Sequence, residues 1–381
     1  SEGKEGFYAV EVFADSPAEE AGIQAGDIFV EVNGQSTEGW TIDELVAKIK
    51  GPEGSTVTLA VDRNDQRLPL TLERRSVKIP SVEAKWVGDG LGYIRFETFS
   101  AEAEKSFAAE LNRMKSEGLQ RLIVDLRGNT GGYLEVAKAM VRHFIKEGTL
   151  VYMQNRNGEM NAIQFKAGEN LDIPIVLLVD SFSASASELF SGALKDYGRA
   201  DIIGLQTYGK GSVQQLVPLS DGAYLRLTVQ RYLTPKKHQV DGIGITPDIE
   251  VFGQTAQLLT ALSHLGEKNF EVAVNGTEWS VNGAAFNSPF PYLVEDGRVY
   301  VPARILAALT EASVRWNAEE KSIELTFGDG RKAAFLAQDH QNVQMHQGVS
   351  FIGLDRFREM APSLSFEVHE HTLHLTVSNR H

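Results

Sequence analysis

Two apolar strands, each running into a glycine- or serine-rich loop and then a helix, constrain the fold of this chain more than any other feature. Leu119 to Leu126, with Leu122, Ile123 and Val124 in unbroken succession, leads through Arg127-Gly-Asn-Thr-Gly-Gly132 to a helix predicted from about Leu134 to Ile145. Pro174 to Val179 leads through Asp180-Ser-Phe-Ser-Ala-Ser-Ala-Ser-Glu188 to a helix predicted over Ser185 to Tyr197. A short continuous apolar run bounded by turn residues fits a strand buried on both faces. Leu91 to Phe96 and Asp201 to Leu205 read as further strands, and Ala101 to Glu117 as an amphipathic helix. Ser212 to Leu219 and Tyr224 to Tyr232 read as an antiparallel pair around Asp221-Gly222. This alternation predicts an α/β core with a layered sheet, and residues 76–267 are assigned to it.

The flanks differ. Residues 1–75 read as a small β-rich module, with Gly26-Asp-Ile-Phe-Val-Glu-Val-Asn-Gly34 as a strand closed by an Asn-Gly turn. A helix is predicted from Thr41 to Lys50, with an apolar stripe of Ile42, Leu45, Val46 and Ile49. Residues 268–381 are rich in β-branched and aromatic residues and repeat internally. Val301-Pro-Ala-Arg-Ile-Leu through Val314-Arg-Trp316 to Ile323-Glu-Leu325 parallels Ile352-Gly-Leu-Asp-Arg-Phe through Leu364-Ser-Phe366 to Leu373-His-Leu375. Each copy predicts a short helix followed by a hairpin with a charged tight turn, together one pseudo-symmetric α+β module.

At 381 residues, 42% hydrophobic and 23% charged, the chain has the composition of a soluble multidomain protein. No apolar run approaches the ~18 residues of a membrane span. A net charge of -14 argues against nucleic acid and against anionic lipid, since both attract cationic surfaces. Zero cysteines excludes disulfides, thiolate zinc sites and cysteine nucleophiles. It suits an exported protein of a bacterium that makes little use of disulfides. The polar start, Ser1-Glu-Gly-Lys-Glu-Gly6, suggests a processed or trimmed chain rather than a leader.

The chemistry centres on Ser185 and Lys210. Ser185-Ala-Ser-Glu188 fits a capping box, and most such sequences are caps alone. A helix N-terminus also offers free N–H groups and a positive dipole end to a developing oxyanion. Lys210 stands in Thr207-Tyr-Gly-Lys-Gly-Ser-Val-Gln214, with no other acid or base from Ile202 to Pro218. A lysine base must lose about 3 units from a free value near 10.4, roughly 4 kcal/mol. Burial among uncharged neighbours lowers a lysine's pKa, whereas a carboxylate raises it. In an extended segment Lys210, Ser212 and Gln214 share a face, so that Gln214 can orient the amine. A glycine N–H from the Gly131–Gly132 pair, with Gly131 preferred, and the Ala186 N–H are candidate oxyanion donors. The bland alternative is that those glycines only serve a turn with positive φ. Gly204-Leu-Gln-Thr-Tyr-Gly-Lys210 imitates half of a phosphate loop, but Gly211 stands where Ser or Thr is needed.

Asp125-Leu-Arg-Gly-Asn-Thr-Gly-Gly132, the Ser-Ala-Ser-Ala-Ser-Glu cluster, Tyr208-Gly-Lys-Gly-Ser-Val-Gln214 and Gly244-Ile-Thr-Pro-Asp248 occur in one order. In that order they resemble the carboxy-terminal processing (tail-specific) serine proteases, over roughly residues 7–265. The resemblance implies a crotonase/Clp-like core with Ser185 as nucleophile, Lys210 as general base and Gln214 in support. It places the oxyanion donors at Ala186 and Gly131, with Ser183 and Ser187 as rival nucleophiles. Ser16-Pro-Ala-Glu-Glu-Ala-Gly-Ile23 and Gly26-Asp-Ile28 resemble the PDZ domains of bacterial processing proteases, which bind a peptide C-terminus as an added strand. The loop for the terminal carboxylate is not fully included, so a partial PDZ domain is expected. The family often has arginine where Lys50 stands, which implies a regulatory role; a lysine favoured by the helix dipole explains it as well. Residues 268–381 resemble the stalk-like repeat named after the copper amine oxidase N-terminal domain, without implying a metal. His369, His371 and His374 are explained as an exposed β surface, and His238 and His264 have no evident partners.

The expected function is a serine endopeptidase of secreted or wall-associated bacterial proteins, acting on unfolded or C-terminal segments without cofactor or metal. Homo-oligomerisation through the C-terminal module is expected. The competing expectation is a catalytically silent scaffold for assembly at the cell envelope.

Overall fold

A computed structural model describes all residues except 1, 4, 5, 10, 11, 13–15, 25, 64, 65, 78–80, 219–222, 276, 277, 287, 289, 347, 370, 371 and 379–381. The chain divides into two compact units. One comprises residues 1–80, 271–292 and 365–376; the other comprises residues 81–270, 293–364 and 377–381. The stretch 268–381 is thus shared between both units.

In the first unit, residues 2–73 form an antiparallel sheet ordered Glu2–Gly3, Gly6–Tyr8, Ile28–Val32, Thr56–Arg63, Gln66–Glu73, with Gln35–Ser36 folded back on Ile28–Val32. Asp27 is buried and held by Arg63, Nε to Oδ1 at 2.6 Å, which explains an acid at the start of an apolar strand. The helix forms over Ile42–Ile49, capped by a Thr41–Glu44 box. Of its predicted stripe Leu45 is buried, while Ile42 and Val46 are exposed. Lys50 ends this helix and is exposed. The helix's last carbonyls are taken by Arg74 instead, Nε to Ile49 O at 2.6 Å and Nη2 to Lys48 O at 3.1 Å.

The second unit is built on a six-stranded sheet ordered Ile249–Glu250, Asp201–Gly204, Ile175–Val179, Arg121–Asp125, Leu91–Phe96, Val82–Gly88. All neighbours are parallel except the last pair. Every residue of Ile175–Val179 is buried, as its unbroken apolar sequence requires. Helix Ala101–Ser116 buries Ala103, Phe107, Leu111 and Met114, one stripe at helical spacing. Phe96, Phe99, Phe107, Phe144 and Phe190 interlock by edge-on or tilted contacts, Phe96 on Phe99 at 4.8 Å. That cluster forms the floor under the loops described below. A second sheet, ordered Met160–Phe165, Gly148–Asn155, Tyr224–Leu233, Ser212–Pro218, is antiparallel. The sequence reading missed its first hairpin, whose Asn-rich, weakly alternating strands carry little periodicity. The Asp221-Gly222 turn lies outside the described residues.

The tandem repeat takes the expected form. Helix Ala303–Leu309 precedes the hairpin Ser313–Asn317/Ser322–Thr326, and helix Leu354–Met360 precedes Leu364–His369/Thr372–Val377. The strands leading into the two helices pair antiparallel with Val301 opposite Ile352, the same position of each copy. Equivalent residues facing each other are what a local two-fold axis requires.

Candidate active site

Parallel strands deliver their carboxyl ends to one edge of a sheet. Here Arg121–Asp125 leads into the glycine loop, Ile175–Val179 into the serine loop, and Asp201–Gly204 into the loop carrying Lys210. Side chains bind the three loops together. Asp180 accepts from Gly128 N–H at 3.0 Å and from Phe182 and Ser183 N–H, each at 3.0 Å. Asn129 is fully buried; its Nδ2 donates to Phe96 O at 2.5 Å, its Oδ1 accepts from Gly131 N–H at 2.9 Å, and its carbonyl accepts from Ala184 N–H at 3.0 Å. Beneath them Arg127 grips Asp125 and reaches Gln254 O at 2.7 Å. Burial alone would push the Asp125 carboxyl up, but the Arg127 guanidinium holds it below its usual value.

Ser185 caps the helix Ala186–Asp196 and is half-buried, with φ 58° and ψ -114°. Positive φ is uncommon for a residue with a side chain and marks backbone held by its surroundings. The two rival serines are spent. Ser183 Oγ donates to Leu126 O at 2.8 Å and Ser187 Oγ to Asn129 O at 2.8 Å, and both residues are buried. Ala186 is buried and its N–H has no hydrogen bond among the described residues.

Gly131 presses directly on this turn. A Cβ there would lie 2.6 Å from Ala184 O, 2.8 Å from Ala186 N and 2.8 Å from Ser185 Cβ, at φ +100°. Its glycine is therefore demanded by close approach as well as by the turn. Its N–H, however, is the one held by Asn129 Oδ1. Gly131→Ala is expected to displace the Ser185 turn, and a misplacement of about 1 Å costs roughly 100-fold in rate. An unchanged melting temperature in that variant would show that this contact does not shape the turn.

Glu188 was read only as half of a capping box. It is wholly buried, and its two oxygens accept four hydrogen bonds: Ser185 N–H at 2.9 Å, Thr207 Oγ at 2.6 Å, Gly209 N–H at 2.6 Å and Lys210 N–H at 2.9 Å. The serine turn and the lysine loop are thereby tied to one side chain. Tyr232 closes the other side, its hydroxyl donating to Lys210 O and to Ser185 O, the latter at 3.3 Å. Burial, then the charges of Glu188 and Asp241, push the Tyr232 hydroxyl far above the usual phenol pKa, so it stays a donor.

The structure thus gathers Ser185, Ala186, Gly131 and Lys210 at the backbone level. The side chains of Ser185 and Lys210 do not hydrogen-bond to each other, and Lys210 is exposed, with no described residue bonded to its Nζ. The expected uncharged neighbourhood is corrected, because Glu188 enters it from another element. Gln214 is exposed on the strand Ser212–Pro218, beside a bulge, while Lys210 precedes that strand. The strand after Lys210 agrees with the rejection of a phosphate loop.

Three exposed aromatic side chains, missed in the sequence, stand on the same loops: Tyr133 at 71%, Phe182 at 65% and Tyr208 at 67% exposure. Elsewhere, His264 pairs with Asp201 at 2.8 Å and His238 with Asp196 at 3.3 Å, partners that sequence spacing did not suggest. His371 lies outside the described residues, and His369 sits 3.0 Å from Glu367. Among the described residues no group of three or more His, Asp or Glu side chains could hold a metal, and no helix is long and apolar enough to cross a membrane.

Residues 90–251 match the model of peptidase family S41. Residues 9–63 match a PDZ domain and residues 254–349 the copper amine oxidase N-terminal domain. The carboxyl-terminal-processing protease of Synechocystis sp. is 36% identical over 268 residues, 69% of this chain and 62% of that protein. The carboxy-terminal processing protease CtpB of Bacillus subtilis is 34% identical over 248 residues, 64% of this chain and 52% of that protein. A solved photosystem II D1 C-terminal processing protease is 29% identical, with a TM-score of 0.48 over 65% of this chain and 69% of that one. The chain spans between half and two thirds of the length of these two curated relatives. The recognition made from the four motifs, and from both flanking modules, is borne out.

Proposed function

We propose that the protein is a serine endopeptidase in which Ser185 is the nucleophile and Lys210 the general base. The observation that carries this is the double tie, Glu188 on one side and Tyr232 on the other, which holds the strained Ser185 turn against the Lys210 loop. It is reinforced by the commitment of the Ser183 and Ser187 hydroxyls to backbone carbonyls. The Lys210 amine takes the proton of the Ser185 hydroxyl as its oxygen attacks a substrate carbonyl. The oxyanion is met by Ala186 N–H and by an N–H of the Gly131–Gly132 pair; use of Gly131 requires that it leave Asn129. Collapse expels the amine, which receives the proton from Lys210, and leaves an acyl-Ser185 ester. Water, deprotonated by the same amine, then releases the acid. Gln214 would support the amine once the loop closes on substrate. No cofactor is needed. Exposed Tyr133, Phe182 and Tyr208 offer apolar surface to an unfolded chain.

Substrate delivery by the PDZ module fits the exposure of Ile42 and Val46, with Lys50 at the end of the same helix as a regulatory candidate. Action outside the cytoplasm of a bacterium, on C-terminal segments and as a homo-oligomer, completes the proposal. The missing bond between Ser185 and Lys210 favours a second reading, a scaffold whose dyad is silent. Hydrolysis of casein separates the two: the peptidase degrades it, and Ser185→Ala abolishes that degradation. Absence of hydrolysis by the wild-type protein supports the scaffold.

A further inference from the structure

The antiparallel pair Ser212–Pro218/Tyr224–Leu233 begins two residues after Lys210 and runs past the sheet that anchors it. Its second strand is paired with Gly148–Asn155 only at Gln230, Arg231, Tyr232 and Leu233. From Gln214 opposite Thr228 to Pro218 opposite Tyr224 the pair continues as a two-stranded arm. Such ribbons are marginal in water without a third strand or an apolar cover. Among the described residues nothing pairs with the outer edge of Ser212–Pro218.

Sheet edges are normally blunted with charge, proline or a bulge. This edge, Ser212-Val-Gln-Gln-Leu-Val-Pro218, carries no charge, and its proline comes at the far end. The one bulge lies near the anchored end, between Val213 and Gln214. The arm also exposes apolar surface: Leu225 at 48% and Leu227 at 47%, on one face by alternation, and Tyr224 at 68% on the other.

We propose that this arm is the docking site of the polypeptide substrate, which adds as an extended strand along Ser212–Pro218 and lays apolar side chains beside Val217, which stands opposite Leu225 on the same face. The inference rests on the serine-endopeptidase reading and names how that site takes its substrate. The observation favouring substrate over any other occupant is continuity: the open edge grows out of the loop that bears Lys210. A strand of seven residues at roughly 3.3 Å each is led toward the Ser185 turn. Main-chain pairing supplies affinity without sequence selectivity, as suits an unfolded chain.

The test uses the full chain and casein. In Ser185→Ala, hydrogen exchange at the amides of Ser212–Val217 is expected to slow when casein is added. In Val217→Ser/Leu225→Ser, KM for casein should rise about tenfold with kcat little changed. A small serine-directed phosphonate should still label Ser185 in that variant, which shows the site folded. Labelling intact with unchanged KM and no protection overturns the arm and leaves the endopeptidase reading standing. Loss of a dimer in sedimentation with KM unchanged also overturns it, assigning the arm to a second copy. Absence of labelling in the wild-type protein removes the reading on which the arm depends.

Discussion

Ser185→Ala and Lys210→Ala are each expected to reduce casein hydrolysis by about 10^4-fold or more, in a protein that melts close to the wild-type temperature. Loss of one member of a nucleophile–base pair costs nearly as much as loss of both, so the double variant should be little worse than either single one. Stability should hold for a physical reason. The Ser185 hydroxyl is half-buried and the Lys210 amine lies in solvent, while the bonds that hold both turns run through backbone atoms that alanine retains. Ser183→Ala provides the contrast: it removes one of two donors to the Leu126 carbonyl and the acceptor of the Asp180 N–H, and should cost roughly 1–3 kcal/mol of stability. Activity measured per folded molecule should remain. Full activity in either dyad variant removes the mechanism.

Glu188→Ala should be nearly as damaging to catalysis, and unlike the dyad variants it should damage the fold. Four donors lose their acceptor at once: the N–H groups of Ser185, Gly209 and Lys210, and the Thr207 hydroxyl. Leaving buried donors unsatisfied costs about 1–3 kcal/mol each before relaxation, so a loss of at least ~3 kcal/mol is expected. Glu188→Gln is the sharper probe, since an amide keeps the shape but turns one oxygen into a donor facing other donors. Its kcat should fall by about 100-fold or more, from displacement of the serine turn against the lysine loop, with KM for casein little changed. A fall in KM-dependent binding alone, with kcat intact, would show that Glu188 holds the fold without setting the dyad.

What was legible in the sequence was what local pattern encodes. Apolar runs such as Ile175–Val179, the Ala101–Ser116 stripe and the repeat around Val301 and Ile352 each carry their periodicity in neighbouring residues. Ser185 and Lys210 stood out because their motifs are contiguous. Glu188 and Tyr232 did not, because their meaning arises between elements: a cap residue reaches into a loop about twenty residues on, and a strand tyrosine turns back to join two carbonyls. The uncharged surroundings read for Lys210 were true along the chain and not in space. Ile42 and Val46 lay in a helical stripe that periodicity cannot divide into core and open surface. Asn129 sat inside a motif whose glycines drew the attention, although its side chain is what holds the glycine loop in place.

Mapping the serine-directed phosphonate adduct by mass spectrometry tests the central claim most directly. The account predicts one modified residue, Ser185, with labelling that nearly vanishes in Lys210→Ala. An adduct on Ser183 or Ser187, or equal labelling of Ser185 with and without the Lys210 amine, would contradict it.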